Sequence, residues 1–178
     1  MPHPERPSYR GVMAGDDDPM VPVDVLGVRQ LGEPEVVVLL LDAGSGLVVP
    51  IAIGPREATA IASAQAGVVP PRPMTHDLLR DLLRATGVEL ESTRVVALRD
   101  GVFFAELALS NGERVDSRAS DAIALAVRTG APVLCAAEVV ARAGVEVVDD
   151  AGAREVERFR SFLDGVEPED FGHEPPST

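Results

Sequence analysis

The sequence predicts an α+β fold: a mostly antiparallel sheet with helices packed on one side. Three observations lead there. Runs of valine, isoleucine and leucine of strand length alternate with turn signals such as Asp42-Ala43-Gly44-Ser45-Gly46, Asp100-Gly101 and Asn111-Gly112. Two of the resulting hairpins lead directly into alanine-rich helical segments. Those segments, Pro55-Arg56-Glu57-Ala58-Thr59-Ala60-Ile61-Ala62 and Ala119-Ser120-Asp121-Ala122-Ile123-Ala124-Leu125-Ala126, share one pattern 64 positions apart. A hairpin–helix unit therefore occurs twice. One sheet face and two helix stripes of this kind bury their apolar sides against each other.

The elements follow in order. Residues 1–20 carry four prolines and the run Asp16-Asp17-Asp18, and read as a disordered tail. Val23 to Gln30 reads as a strand, and Glu35 to Leu41 with Leu47 to Ile53 as a hairpin. Pro55 suits the first turn of a helix over Arg56 to Ala66, which Gly67 closes. Thr75 is the expected cap of a second helix whose leucines at 78, 79, 82 and 83 form a stripe ending before Gly87. Arg94 to Arg99, Val102 to Leu109 and Arg114 to Asp116 are strands, and Ser120 is the expected cap of a helix from Asp121 to Thr129. Ala131 to Ala136 is a short strand and Ala137 to Ala143 a short helix. The domain thus spans 21–145. An acidic tail, 146–178, follows, with a C-terminal helix over 154–164 that places Val156, Phe159, Phe162 and Leu163 on one face.

Composition bounds the function. The chain of 178 residues is 46% hydrophobic, enough for one real core, and carries a formal charge of −13. That charge is uneven. Residues 1–19 hold four acids and two arginines, and 146–178 hold ten acids and three arginines. This leaves 15 acids against 11 arginines between 20 and 145, a net of −4. The core is therefore not hostile to a phosphate, but it has no basic stripe to attract a long one. Aromatic residues are 3% of the chain, which leaves little stacking surface for nucleic acid. Cys135 is the single cysteine, which excludes an intrachain disulfide. No apolar run reaches membrane-spanning length, and the expected location is the cytoplasm.

Two polar clusters stand out: Arg72-Pro73-Met74-Thr75-His76-Asp77 and Asp116-Ser117-Arg118-Ala119-Ser120-Asp121. Each lies where the chain enters a helix. His76 is the only histidine outside the two ends, so imidazole chemistry in the core must use it. No nucleophile elbow, phosphate loop or Cys/His metal spacing is present.

With these segments laid out, the chain resembles the bifunctional nuclease domain family. The resemblance is carried by Leu47-Val48-Val49-Pro50-Ile51-Ala52-Ile53-Gly54 with Glu57-Ala58, by Pro71-Arg72-Pro73-Met74-Thr75-His76-Asp77-Leu78, and by Gly101-Val102-Phe103-Phe104-Ala105. Ser117-Arg118-Ala119-Ser120-Asp121-Ala122-Ile123-Ala124-Leu125-Ala126 and Gly130-Ala131-Pro132-Val133 complete it. It covers roughly 23–145, and the tail around Phe159, Phe162 and Phe171 is similar to actinobacterial members. Three positions depart from the family pattern: Ala119 stands for proline, Ala52 for an aromatic and Phe104 often for tyrosine.

The resemblance implies a nuclease acting on RNA and DNA. Residue chemistry assigns roles within it. Glu57, Asp116 and Asp121 are carboxylates suited to hold Mg²⁺ or Mn²⁺, and Glu57 and Asp121 are expected catalytic residues as well. His76 is the general base or acid, with Asp77 beside it as a further catalytic carboxylate. Arg72 and Arg118 are the phosphate-binding cations. Weak basic character favours a short or single-stranded substrate, and the apolar helix faces favour a homo-oligomer. The competing reading is a non-catalytic oligomeric scaffold. There Arg72 pairs with Asp77 or Asp121, Arg118 pairs with Asp116 or Glu57, and the first-turn acids serve only their helix dipoles.

Overall fold

In the computed structural model the described residues are 19–31 and 34–146; of the expected tails only Pro19, Met20 and Glu146 fall within them, Met20 and Glu146 being in strands, and the helix expected at 154–164 lies outside them. The chain opens with an antiparallel meander of β1 (Met20–Gln30), β2 (Val36–Asp42) and β3 (Leu47–Ile53), which runs into α1 (Pro55–Gln65). A separate helix, α2 (Thr75–Ala85), follows. A second antiparallel meander of β4 (Leu90–Arg99), β5 (Val102–Leu109) and β6 (Arg114–Arg118) then runs into α3 (Ala119–Thr129). The chain continues through β7 (Val133–Ala136), α4 (Ala137–Ala143) and β8 (Val145–Glu146). All eight strands join one sheet in the order β6-β5-β4-β7-β1-β2-β3-β8.

The fold class is as the sequence predicts. The two repeated helices are each eleven residues long and start at 55 and 119, the same 64-residue offset. They pack against each other. β7 joins the halves: it pairs antiparallel with β1 and parallel with β4, the sheet's one parallel pairing among the described residues.

Local chemistry explains the turns. At the β2–β3 hairpin Asp42 accepts the Gly44 amide at 2.9 Å and the Ser45 hydroxyl at 2.7 Å. Those bonds hold its carboxyl below the usual range. At the β4–β5 hairpin Asp100 and Gly101 both take positive φ, 50° and 78°, which matches the strand twist in a two-residue turn.

The core lies between the sheet and the α1–α3 pair. Val38, Leu40, Val49 and Ile51 come from the first meander, Val95, Ala105 and Leu107 from the second, and Ile61, Ile123 and Leu125 from the helices. Buried alanines at 58, 60, 122, 124 and 126 let helices and strands approach closely.

Two expected caps are corrected. Ser120 does not cap α3; it is buried inside the first turn, and the N-cap is Arg118 with no side-chain cap bond. β6 runs straight into α3, so no residue is free to cap it. Thr75 is likewise the first residue of α2 rather than its cap. Asp77 serves that helix end instead, accepting the Met74 amide at 3.0 Å.

Alternation along β5 puts Glu106 on the face opposite Ala105 and Leu107. Glu106 is fully buried and accepts Nη1 of Arg94 and Nη1 of Arg114, each at 2.8 Å. Removing one partner of a buried ion cluster leaves an uncompensated charge. Arg94→Met is therefore expected to lower stability by about 3 kcal/mol, read as a drop in the urea midpoint at unchanged slope. A midpoint equal to wild type would show that the cluster is energetically neutral. No helix among the described residues is long and apolar enough to cross a membrane. Burial, chiefly, pushes the Cys135 thiol up to about 12. Alkylation of Cys135 at pH 8 is expected only in urea that unfolds the domain; rapid labelling of the native protein would contradict its burial.

Candidate active site

The repeat brings two helix starts together. The N-cap of α1 is Gly54 and that of α3 is Arg118, both with extended backbone and neither with a side-chain cap bond. Glu57 and Asp121 are each the third residue after these N-caps, where the helix dipole favours a carboxylate. Because α1 and α3 pack side by side, the two acids converge. Arg118 lies between them. Its Nη1 donates to Glu57 Oε1 at 3.1 Å, its Nε to Asp121 Oδ2 at 2.6 Å and its Nη2 to Asp121 Oδ1 at 3.0 Å.

Gly54 makes room for this arrangement. A Cβ there would collide with Glu57 Oε2, so the bare N-cap lets Glu57 fold back over its own helix end.

α2 adds the imidazole. His76 Nε2 lies 3.1 Å from Asp121 Oδ1, and its side chain is only 13% exposed. Asp77, the next residue, faces elsewhere. It receives Arg128 Nε at 2.8 Å, besides the Met74 amide, and so fastens α2 to the far end of α3. Asp77 thus braces the helix that carries His76.

Electrostatics follow the geometry. Burial opposes ionisation of Asp121, but hydrogen bonds from Arg118 and His76 outweigh it and hold the carboxyl below its usual range. Asp77 is lowered in the same way: burial works against it, and Arg128 and the Met74 amide prevail. Asp121, then Glu57, push Arg118 above an ordinary arginine.

Two clefts flank the Glu57–Arg118 pair. One, of about 540 Å³, is lined by Glu57, His76, Arg118 and Asp121 together with Arg56 and Met74. The other, of about 360 Å³, shares Glu57 and Arg118 and is walled by Ile53, Val102 and Phe103.

Of the residues singled out in the sequence, Glu57, His76, Arg118 and Asp121 therefore meet at one cleft. Asp77 stands behind it. Asp116 is exposed on β6, opposite Glu106 in register, and lines neither cleft. Arg72 is exposed in the loop before α2, forms no ion pair among the described residues and lines neither cleft. Arg56 escaped the sequence reading. It is exposed, lines the larger cleft and has no ion-pair partner among the described residues. The signal was its place between Pro55 and Glu57, in the first turn of the first repeat.

The expected metal ligands do not fit a metal as they stand. Among the described residues no group of three His, Cys, Asp or Glu side chains is arranged to hold an ion. Asp116 is apart, and a cation between Glu57 and Asp121 would have to displace the Arg118 guanidinium.

The chain belongs to a known class of protein. The bifunctional nuclease domain matches residues 37–148, and the chain is a member of that family. It is similar to the uncharacterized protein Rv1829 of Mycobacterium tuberculosis strain H37Rv, 42% identical over 158 residues that cover 84% of this chain and 96% of that protein. MT1877 of strain CDC 1551 matches to the same extent, 42% over 158 residues. Bifunctional nuclease 2 of Arabidopsis thaliana is 30% identical over 119 residues, 64% of this chain and 36% of the plant protein.

The Asp77 brace has a pH signature. With its folded value below its unfolded one, the stability it contributes is full above the ordinary carboxylate value of about 3.9 and fades as pH falls through the folded value. Arg128→Ala is expected to be less stable than wild type at pH 7, with the gap closing as Asp77 protonates in acid. A gap that stays constant down to pH 2 would assign the loss to packing instead.

Proposed function

We propose that this chain hydrolyses phosphodiester bonds of RNA and DNA at the Glu57–His76–Arg118–Asp121 cleft. Membership of the nuclease family supports the reaction class. The observation that carries the site is the His76–Asp121 pair facing Arg118 in a solvent-open cleft.

The groups divide the work. Asp121 accepts from Nε2–H of His76, which orients the ring and leaves Nδ1 as the basic nitrogen. Nδ1 takes a proton from a water molecule, whose oxygen attacks phosphorus. The P–O bond to the leaving sugar oxygen breaks, and that oxygen takes its proton from solvent. Arg118 uses three of its five N–H groups on Glu57 and Asp121. Its side chain is 66% exposed, so the remaining donors can face the phosphate. Arg56, without an ion-pair partner among the described residues and at the same cleft, supplies a second cation as negative charge grows on the phosphate oxygens. A buried thiol at Cys135 suits a reducing compartment, and we assign the activity to the cytoplasm.

Cleavage of labelled RNA and DNA oligonucleotides tests this. His76→Ala is expected to lower kcat by at least about 100-fold, the usual contribution of a positioned general base. Arg56→Ala is expected to lower kcat/KM by roughly tenfold, as a charge-assisted phosphate contact does. Variants as active as wild type would remove both residues from the reaction. The same assay with Mg²⁺, Mn²⁺ or chelator reads the role of a cation. Activity that survives chelation assigns the reaction to His76 and the arginines. Activity lost to chelator and restored by Mn²⁺ or Mg²⁺ would assign a cation requirement, for which Glu57 and Asp121 would be the available carboxylates and phosphate activation the chemistry supplied.

A second reading draws support from the pairing itself, since Arg118 engages both carboxylates, and from the exposed leucines 78 and 82 on α2. In that reading the chain is a homo-oligomeric scaffold. It predicts no cleavage by wild type and a dimer or larger species in sedimentation that Leu78→Glu/Leu82→Glu dissociates.

A further inference from the structure

The Glu57–Arg118 ion pair divides two clefts of different character on each side. The larger holds His76 and Asp121, with Met74 and Pro55 as its apolar wall. The smaller is formed where the β4–β5 turn meets the end of β3, with Val102, Phe103 and Ile53 as its wall. Volumes of about 540 and 360 Å³ lie within the range of small-ligand sites. Met74 is 49% exposed and Val102 55% exposed, so each wall presents apolar surface to solvent, while Ile53 and Phe103 also pack against the core.

From this we infer that the substrate is a single strand laid across the Glu57–Arg118 pair, its scissile phosphate against the two arginines and one unpaired base in each cleft. The inference rests on the phosphodiesterase reading above and adds where the flanking nucleotides sit. Three physical points carry it. The charged divider is where a phosphate belongs and the apolar walls are where base faces belong. Bases inside a duplex cannot enter two separate clefts, so the bases must be unstacked. And among the described residues only Arg118 and Arg56 bring arginine cations to the two clefts, so the site serves one or two phosphates and not a long backbone. Neutralising two phosphates of a single strand gives a salt slope no steeper than about −1.4, at about −0.7 per phosphate.

Cleavage kinetics of the full chain on four substrates provide the test: a dinucleotide, a nucleoside methyl phosphodiester with only one base, a single-stranded 12-mer, and its duplex. The dinucleotide is expected to exceed the one-base diester in kcat/KM by tenfold or more, and the single strand to exceed the duplex. Met74→Glu and Val102→Glu, at exposed positions, place a negative charge in one cleft each. Each is expected to raise KM for the dinucleotide by on the order of tenfold with kcat little changed. Val115→Glu, 44% exposed on β6 and lining neither cleft, is the control and is expected to match wild type. Equal rates on the dinucleotide and the one-base diester, or cleft variants no different from the control, would overturn the two-cleft inference while leaving the nuclease reading in place. A wild-type chain that cleaves none of the four substrates would overturn both.

Discussion

Everything at the cleft depends on one guanidinium. Glu57 and Asp121 occupy equivalent third positions of two helices that pack side by side, so the repeat itself drives two negative charges together. Unrelieved, they would repel, and the α1–α3 contact that seals the core would weaken. Arg118 removes the conflict by bonding to both. It is anchored where β6 ends and α3 begins, and so its backbone is held by the sheet and its head by two helices. A planar fork of donors suits that position better than a lysine's single ammonium. The site is thus a by-product of solving a packing problem, with an exposed arginine edge left over for chemistry.

The imidazole comes from outside the repeat. Among the described residues α2 has no counterpart directly after α3, where β7 follows; it lies between the meanders and rests on α3. Two neighbouring residues hold it there at different points. His76 reaches the N-terminal turn of α3 and Asp77 reaches Arg128 in its last turn. A single tie would let α2 pivot and move the ring; two ties at separated points fix both its position and its direction. This explains why a carboxylate beside the histidine faces away from the cleft.

The fold was legible in the sequence because its signals are local and repeated. The Asp42–Gly46 and Asp100-Gly101 turns bracket strands whose limits follow from turn chemistry, and Pro55 and Gly130 punctuate the helices. The 64-residue echo gave the two halves. What could not be read was set by tertiary packing. The parallel β4–β7 pairing joins segments about forty residues apart, and nothing local encodes it. β8 is two residues long and exists only because the chain returns along Leu47 and Val48. At the site, Glu57, His76, Arg118 and Asp121 were all recognisable by type and by their place at helix starts. Asp116 was not separable from them, since two residues along a strand reverse nothing about face but shift a side chain far enough along β6 to miss the cleft. Arg56 went unseen because an arginine in a first helical turn looks like an ordinary surface residue until the cleft beside it is known.

The repeat carries a lesson about symmetry. Positions 54 and 118 are the same position in the two copies: both are N-caps, both extended, one glycine and one arginine. Two identical units side by side could not build this cleft. An arginine at both would crowd a second guanidinium into the space where Glu57 folds back, and a glycine at both would leave the acids facing each other bare. Joining the copies in one chain lets each hold a different residue at the same geometric station, so one half gives up its side chain to make room for the other's. The cleft is a product of that division of labour, and a homodimer of half-length chains would be barred from it by its own symmetry.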